Sequence, residues 1–190
     1  MSTVSSVLLA AGASTRFGRP KLLESVGGEP LVRRTARVLR EGGAGDVVAV
    51  LGADGLEVAR ALAPLPVRTV TNHGWWLGMF CSVLAGLRAV EGADCIAVTP
   101  ADLPFLDASE VARTLAAGVA AAPSTLVVAC HEGRRGHPLV FHREVAARVL
   151  GWHLERRLSD LFSEADLTIL TVECGPGVVR DADVPADLAS

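Results

Sequence analysis

A chain of 190 residues, half of them apolar, is long enough to bury one sizeable core and short for two, so one domain over 1–190 is expected. Its 18 basic and 21 acidic residues leave a net charge of −3, which argues against a nucleic-acid binder working through its overall field. Four cysteines without paired metal spacing, a start without a basic leader and the lack of a long uncharged apolar run predict free thiols, a cytoplasmic protein and no membrane partner.

The first predicted strand, 5–9, runs into LAAGASTRFGRPK at 9–21. Spacing excludes a P-loop there, because five residues separate Gly12 from Gly18 and Lys21 is followed by Leu22 rather than Ser or Thr. The dinucleotide fingerprint fails as well, since Ala13, Ser14 and Thr15 follow Gly12 and Pro20 imposes an extended path before the lysine. What remains is a row of backbone N–H groups beside Gly12 with Arg16, Arg19 and Lys21 in one loop, suited to a polyanion; a basic surface turn is the plainer alternative. Lys21 is the only lysine among the 18 basic residues, so a compact ammonium is retained where arginine is used everywhere else.

Pro30 then suits a first helical turn, with Val32, Ala36 and Leu39 on one face, Arg33, Arg34, Arg37 and Arg40 as a solvated face opposite, and Gly42-Gly43 as the stop. A strand at 46–51, a helix from an Asp54 cap to Leu62 and a strand at 67–70 follow. The loop from Asn72 to Met79 holds Trp75 and Trp76, of which one is expected to face outward, and leads to a helix over 82–90 with Ser82 at its start. A strand at 94–98 ends in Thr99-Pro100-Ala101-Asp102-Leu103-Pro104, a carboxylate stiffened by two prolines that reads either as a metal or polyphosphate ligand or as a turn aspartate. Asp107 and Glu110 form a capping box for a helix ending in the alanine-rich stretch 116–122. Strands at 125–129, 138–141 and 167–172 complete the pattern, with the basic turn Arg134-Arg135-Gly136-His137 between the first two and Asp181 and Asp183 far downstream. Strands alternating with helices predict an α/β fold of three layers around a mainly parallel sheet, with ligands beyond the carboxyl ends of the strands. A lysine and an arginine for phosphates together with separated aspartates for magnesium describe phosphate transfer; no Gly-x-Ser-x-Gly elbow and no zinc constellation competes.

Taken together these loops resemble the nucleotidyltransferases of molybdenum cofactor biosynthesis. The resemblance rests on LLAAGASTRFGRPKLL, Asn72-x-x-Trp75-x-x-Gly78-Met79-x-x-Ser82, Pro100-Ala101-Asp102-Leu103-Pro104, Arg135-Gly136-His137-Pro138 and Asp181-x-Asp183-x-Pro185-x-Asp187-Leu188, in order along nearly the whole chain. Leu9-Ala10-Ala11-Gly12 is similar to the cytidylyltransferase branch, whereas the guanylyltransferase branch typically has glycine in place of Ala11. The resemblance implies a Rossmann-like, glycosyltransferase-A-like domain that transfers CMP from CTP, or another nucleotide, to a phosphorylated acceptor such as molybdopterin, with Mg²⁺ as cofactor. It implies that Leu9, Ala10, Ala11, Gly12, Gly78, Ser82 and Pro100 form the nucleotide site, that Arg16, Lys21 and Asp102 are catalytic, that Asp102 with Asp181 or Asp183 holds metal, and that Trp75 and His137 contact substrate. A molybdoenzyme or its chaperone is the implied protein partner.

One departure concerns the acceptor side. Where the family usually carries Gly-Asp-x-Gly, this chain has Gly151-Trp152-His153-Leu154, bulkier and more apolar. The turn lines the acceptor pocket, or else Trp152 and Leu154 are core residues of a C-terminal helix. Two other functions stay open on the same scaffold: an oxidoreductase resembling nicotine blue reductases, using flavin or NADH, and a nucleotide-binding assembly factor without turnover.

Overall fold

The apolar runs become a seven-stranded sheet in the order β5-β4-β1-β6-β8-β7-β9. The computed structural model describes residues 4–188, so both ends of the expected 1–190 domain lie outside the described residues. The elements are β1 (Val4–Ala10), a two-residue hairpin β2 (Ser25–Val26) and β3 (Glu29–Pro30), α1 (Leu31–Glu41), β4 (Asp46–Leu51), α2 (Gly55–Leu62), β5 (Arg68–Thr71), α3 (Met79–Ala89), β6 (Cys95–Pro100), α4 (Ala108–Ala120), β7 (Thr125–His131), β8 (Arg134–His142), α5 (Arg143–Leu150) and β9 (Thr168–Glu173). β1 pairs in parallel with β4 on one side and β6 on the other, while β8 runs antiparallel to both β6 and β7. The mainly parallel sheet is therefore as expected, with one reversed strand. That strand follows β7 directly through the turn at Glu132 and Gly133, both at positive φ, which is too short for a crossover.

Helices α1, α2 and α4 cover one face and α3 with α5 the other, each over its own apolar cluster. Because both faces are covered, Val47, Val48, Ala49 and Val50 are all buried, and the central strands read as continuous apolar runs rather than alternating ones. Glycine permits two close approaches: a Cβ on Gly86 would strike Val7 and one on Gly118 would strike Val140, so α3 and α4 lie tightly on the sheet.

Local expectations fare unevenly. Pro30 ends β3 and caps α1 rather than entering its first turn. Asp54 makes no side-chain cap. Asp107 does accept from Ser109 and Glu110 N–H groups, but the Glu110 carboxylate reaches Gly175 N–H instead of closing a capping box, because a tertiary partner outcompetes the local one. The arginines of α1 are straps, not a free face: Arg33 donates to Ala61 O at 2.6 Å, Arg34 to Pro104 O at 2.7 Å, Arg40 to Pro66 O at 3.0 Å, and Arg37 joins Glu29 and Glu41. α5 stands where the sequence pattern predicts no element, and no C-terminal helix contains Trp152 or Leu154 among the described residues. All four cysteines are free, Cys81 half-buried and the others buried. Among the described residues no helix is long and apolar enough to cross a membrane.

Candidate active site

β1 is the switch point of the sheet, since the chain proceeds from it to β4 and β5 on one side and returns to β6 on the other. A crevice forms there beyond the strand ends. Its shape comes from the backbone: Ala101 N–H donates to Leu9 O at 3.0 Å and Ala53 N–H to Ala11 O at 3.3 Å, which fixes the exits of β6 and β4 on either side of the exit from β1. The opening loop turns at Ser14, whose φ is +52° and whose hydroxyl accepts from Lys21 N–H at 3.2 Å. Gly12 differs from the packing glycines, because a Cβ there would meet nothing within 4 Å. No protein atom requires glycine at that position, and the free space is the cleft itself.

The cleft holds about 410 Å³. Leu9, Ala11, Gly12, Arg16, Lys21, Trp75, Gly78, Ser82, Pro100, Asp102, Asp181 and Asp183 all line it, so residues from four separate stretches converge. Two expected residues do not. Ala10, buried at the end of β1, faces the α1 and α4 side of the sheet, because strand side chains alternate and its neighbours Leu9 and Ala11 take the cleft side. His137 lies in a second cavity alongside, its Nδ1 3.4 Å from Val98 O; burial pushes its pKa below the ordinary histidine value, against the weaker upward pull of Asp102 and Asp181, and favours the neutral ring.

At the end of the cleft formed by the opening loop, Lys21 Nζ donates to Asp102 Oδ2 at 2.6 Å and to Ala182 O at 2.8 Å, with Asp183 Oδ1 3.8 Å away. The Lys21 and Asp102 side chains are only 16% and 19% exposed. Arg16 reaches Asp183 Oδ2 at 2.6 Å from an exposed position. Arg19 turns away to Glu24 at 2.6 Å and does not line the cleft, which corrects the picture of three cations in one loop. The segment after β9 is held by Ala182 N–H on Asp102 O at 2.9 Å and by Asp187, which accepts from Asp183 and Val184 N–H groups at 2.8 Å. Those two bonds hold the Asp187 carboxyl below the usual range.

Asp102 Oδ1 is buried without a hydrogen-bond partner, an arrangement that costs free energy unless a ligand completes it. Among the described residues no three His, Cys, Asp or Glu side chains converge as a metal cage, so any ion here would take further ligands from bound phosphate, the usual habit of Mg²⁺.

Ser82 is not a cap. α3 begins three residues earlier at Met79, and the buried Ser82 hydroxyl accepts from Asn72 Nδ2 at 2.9 Å while Asn72 Oδ1 accepts from Gly74 N–H at 2.9 Å. Asn72 thereby ties the loop to the helix. Gly78, at φ +112°, makes the turn between them that a side chain would strain. Trp76, 67% exposed, is the tryptophan that faces outward as expected, while both border the cleft, packed edge to face at 5.9 Å on a 3-10 turn. Ser14 and Trp76 line the cleft although the sequence assigns them no role there, and Gly52 gives no signal of its own, yet a Cβ on it would collide with the Ala11 backbone. The turn at 151–155 divides its roles: Leu154 and Glu155 line the second cavity, while Trp152 packs on Phe80 at 6.1 Å and under the Arg156 guanidinium at 3.6 Å.

A doubly wound sheet with a cation-bearing crevice at its switch point is the architecture of the Rossmann-like nucleotidyltransferases. The chain belongs to the MobA-like NTP transferase domain family, whose domain matches residues 6–168. It is 39% identical over 145 residues to the nicotine blue oxidoreductase of Paenarthrobacter nicotinovorans, covering 72% of this chain and 70% of that protein. It is 37% identical over 110 residues to a probable molybdenum cofactor guanylyltransferase of Opitutus terrae, covering 57% of this chain and 52% of the relative, so the chain spans about half of that protein. Among solved structures, a nucleotidyl transferase from Methanothermobacter thermautotroptrophicus superposes with a TM-score of 0.86 at 23% identity, covering 98% of this chain and 94% of that one. A Mycobacterium tuberculosis H37Rv protein crystallised with manganese superposes with a TM-score of 0.77 at 23% identity, covering 99% and 94%. These two likenesses establish the fold. The Asp181 and Asp183 segment lies beyond the matched domain.

Proposed function

We propose that the protein is a Mg²⁺-dependent nucleotidyltransferase that transfers CMP from CTP to a phosphorylated acceptor, with molybdopterin the acceptor that the family resemblance suggests. The observation that carries the reading is the Lys21–Asp102 pair at 2.6 Å on the wall of the cleft, whose carboxylate keeps one oxygen buried and unpartnered. In the reaction, an oxygen of the acceptor's terminal phosphate attacks the α-phosphorus of CTP. A new P–O bond forms, the bond to the bridging oxygen breaks, and its electron pair leaves with pyrophosphate. Lys21 and Arg16 offset the charge on the phosphate oxygens, and incoming phosphates take over the Arg16 contact that Asp183 makes at 2.6 Å. Asp102, with Asp181 or Asp183, would hold Mg²⁺, which supplies charge neutralisation across the phosphates. The row of backbone groups from Leu9 to Gly12 positions base and ribose, and Ser82, Pro100 and Trp75 close the same pocket.

CTP is preferred to GTP in this reading because the Ala11 methyl, wedged beside Gly52, narrows the wall of the base site. With Mg²⁺ present, CTP is expected to raise the melting temperature more than GTP does, since a ligand that binds only the folded state stabilises it in proportion to ln(1 + [L]/Kd). Equal or larger stabilisation by GTP would reject the base assignment. Asp102→Asn should abolish the magnesium dependence of CTP binding; an unchanged dependence would remove Asp102 from the metal site.

Gly12→Ala offers a separate check. Its Cβ meets open space, so the protein should melt no earlier than the wild type while CTP binds more weakly. Unaltered affinity in calorimetric titration would detach Gly12 from the nucleotide.

One observation favours a second reading: the 39% identity to a nicotine blue oxidoreductase. A chain working in that way would purify with flavin absorbance or reduce an acceptor at the expense of NADH, and would release no pyrophosphate from CTP. A nucleotide-binding assembly factor for a molybdoenzyme would bind CTP and also release none.

A further inference from the structure

Asn72 follows β5 and is anchored there, its backbone N–H on Leu51 O at 2.9 Å and its side chain buried. Which end of its carboxamide points where is fixed by a group that can only donate, the Gly74 backbone N–H, 2.9 Å from Asn72 Oδ1. Cys81 Sγ, 3.4 Å from the same oxygen, is a second donor on that side. The Nδ2 end is therefore the one that reaches Ser82 Oγ at 2.9 Å, and the serine oxygen accepts.

A hydroxyl that accepts still carries its own proton. Two other buried helical hydroxyls of this chain donate theirs to the carbonyl four residues back, Thr35 to Leu31 O at 3.1 Å and Thr114 to Glu110 O at 2.8 Å. Ser82 makes no such bond, and among the described residues no protein group accepts from it. Its side chain lies in a residue only 3% exposed and lines the cleft, so the proton is a buried donor that an acceptor on a bound ligand would satisfy.

We propose that Asn72 is a positioning residue that sets the polarity of the base site: by donating to Ser82 it makes that hydroxyl a donor toward the nucleotide, and the base must present an acceptor to it. The inference deepens the proposed function and rests on its taking the cleft as the nucleotide site. Cytosine meets the demand with O2 and N3, two adjacent acceptors. The pairing edge of guanine instead carries N1–H and N2–H₂, two adjacent donors, and donor set against donor leaves a buried group unpaired. This selection acts through hydrogen bonding and is separate from the narrowing of the wall by Ala11.

Asn72→Asp tests this in the full chain, because it is nearly isosteric and reverses the polarity. A carboxylate still accepts from Gly74 N–H, and it also accepts from Ser82, which turns the serine lone pairs toward the cleft. The tie between loop and helix is kept; only its direction changes. At a pH of about 8.5, where the facing donors Gly74, Cys81 and Ser82 hold the carboxylate ionised, calorimetric titration with Mg²⁺ should show CTP bound about tenfold more weakly and tripolyphosphate, which has no base, bound as by the wild type. Ser82→Ala should lose about as much, and the double variant no more than Ser82→Ala alone, whereas a residue that merely holds the loop would add its own loss. The wild type supplies a check that does not depend on how Asn72→Asp folds. Of 3-deaza-CTP, which lacks the N3 acceptor, and 2-thio-CTP, which weakens the acceptor at O2, one should bind about fivefold more weakly than CTP, and that deficit should vanish in Ser82→Ala. Unchanged CTP affinity in Asn72→Asp, a parallel loss of tripolyphosphate, additive losses in the double variant, or equal binding of all three nucleotides by the wild type would overturn the inference and leave the nucleotide site standing. A wild type that binds no CTP would overturn both readings.

Discussion

Lys21→Arg is expected to lower turnover almost as far as Lys21→Ala, by about 10²–10³-fold, the scale on which removal of one charge-stabilising donor acts. The reason is geometric. Lys21 Nζ fits between Asp102 Oδ2 at 2.6 Å and Ala182 O at 2.8 Å, with Asp183 3.8 Å away, so one nitrogen serves three directions at once. A guanidinium has its donors in a plane and needs more width; it would displace Asp102 or Ala182, and with Ala182 the whole segment carrying Asp181 and Asp183. Alanine fails for the opposite reason, leaving a largely buried carboxylate without its cation, which also costs stability. Pyrophosphate release should therefore be measured beside melting curves for both variants. Full turnover in Lys21→Arg would reduce the lysine to a structural ion pair.

Gly136→Ala should destabilise the protein by about 1–3 kcal/mol or more and weaken CTP binding at the same time. A Cβ at Gly136 would collide with the carbonyl of Val178, and with Val179 behind it. Backbone atoms cannot rotate aside as a flexible side chain can, so the 3-10 turn Pro176–Val179 would have to move. That turn leads directly into Asp181, Ala182 and Asp183. Urea unfolding and CTP titration of the same variant check the coupling; a destabilised protein with unaltered CTP affinity would show that the turn and the cleft move independently. The contrast with Gly12 is instructive, since one glycine is needed by the protein's own packing and the other only by what enters the cleft.

The sequence by itself determined the layered architecture and most of the candidate site. Strands buried on both faces must be apolar throughout, which makes them visible as short runs, and the loops beyond their ends must carry the polar groups. Gly12, Lys21 and Asp102 were legible for that reason, Leu9 and Pro100 through the family resemblance, and the four unpaired thiols through their spacing. Tertiary structure alone decided which of these residues meet. Lys21 and Asp102 are 81 positions apart and Arg16 and Asp183 are 167 apart, and no local pattern encodes those distances. It also decided the exceptions. The alternation of β1 turns Ala10 to the opposite face of the sheet, and the reversed strand β8 carries His137 into the neighbouring cavity. Arg19 and Glu110 find charged or backbone partners that only the folded chain supplies. Periodicity records whether a side chain is inside or outside, because burial is paid for residue by residue; it does not record which inside, because that depends on the order in which distant strands pair.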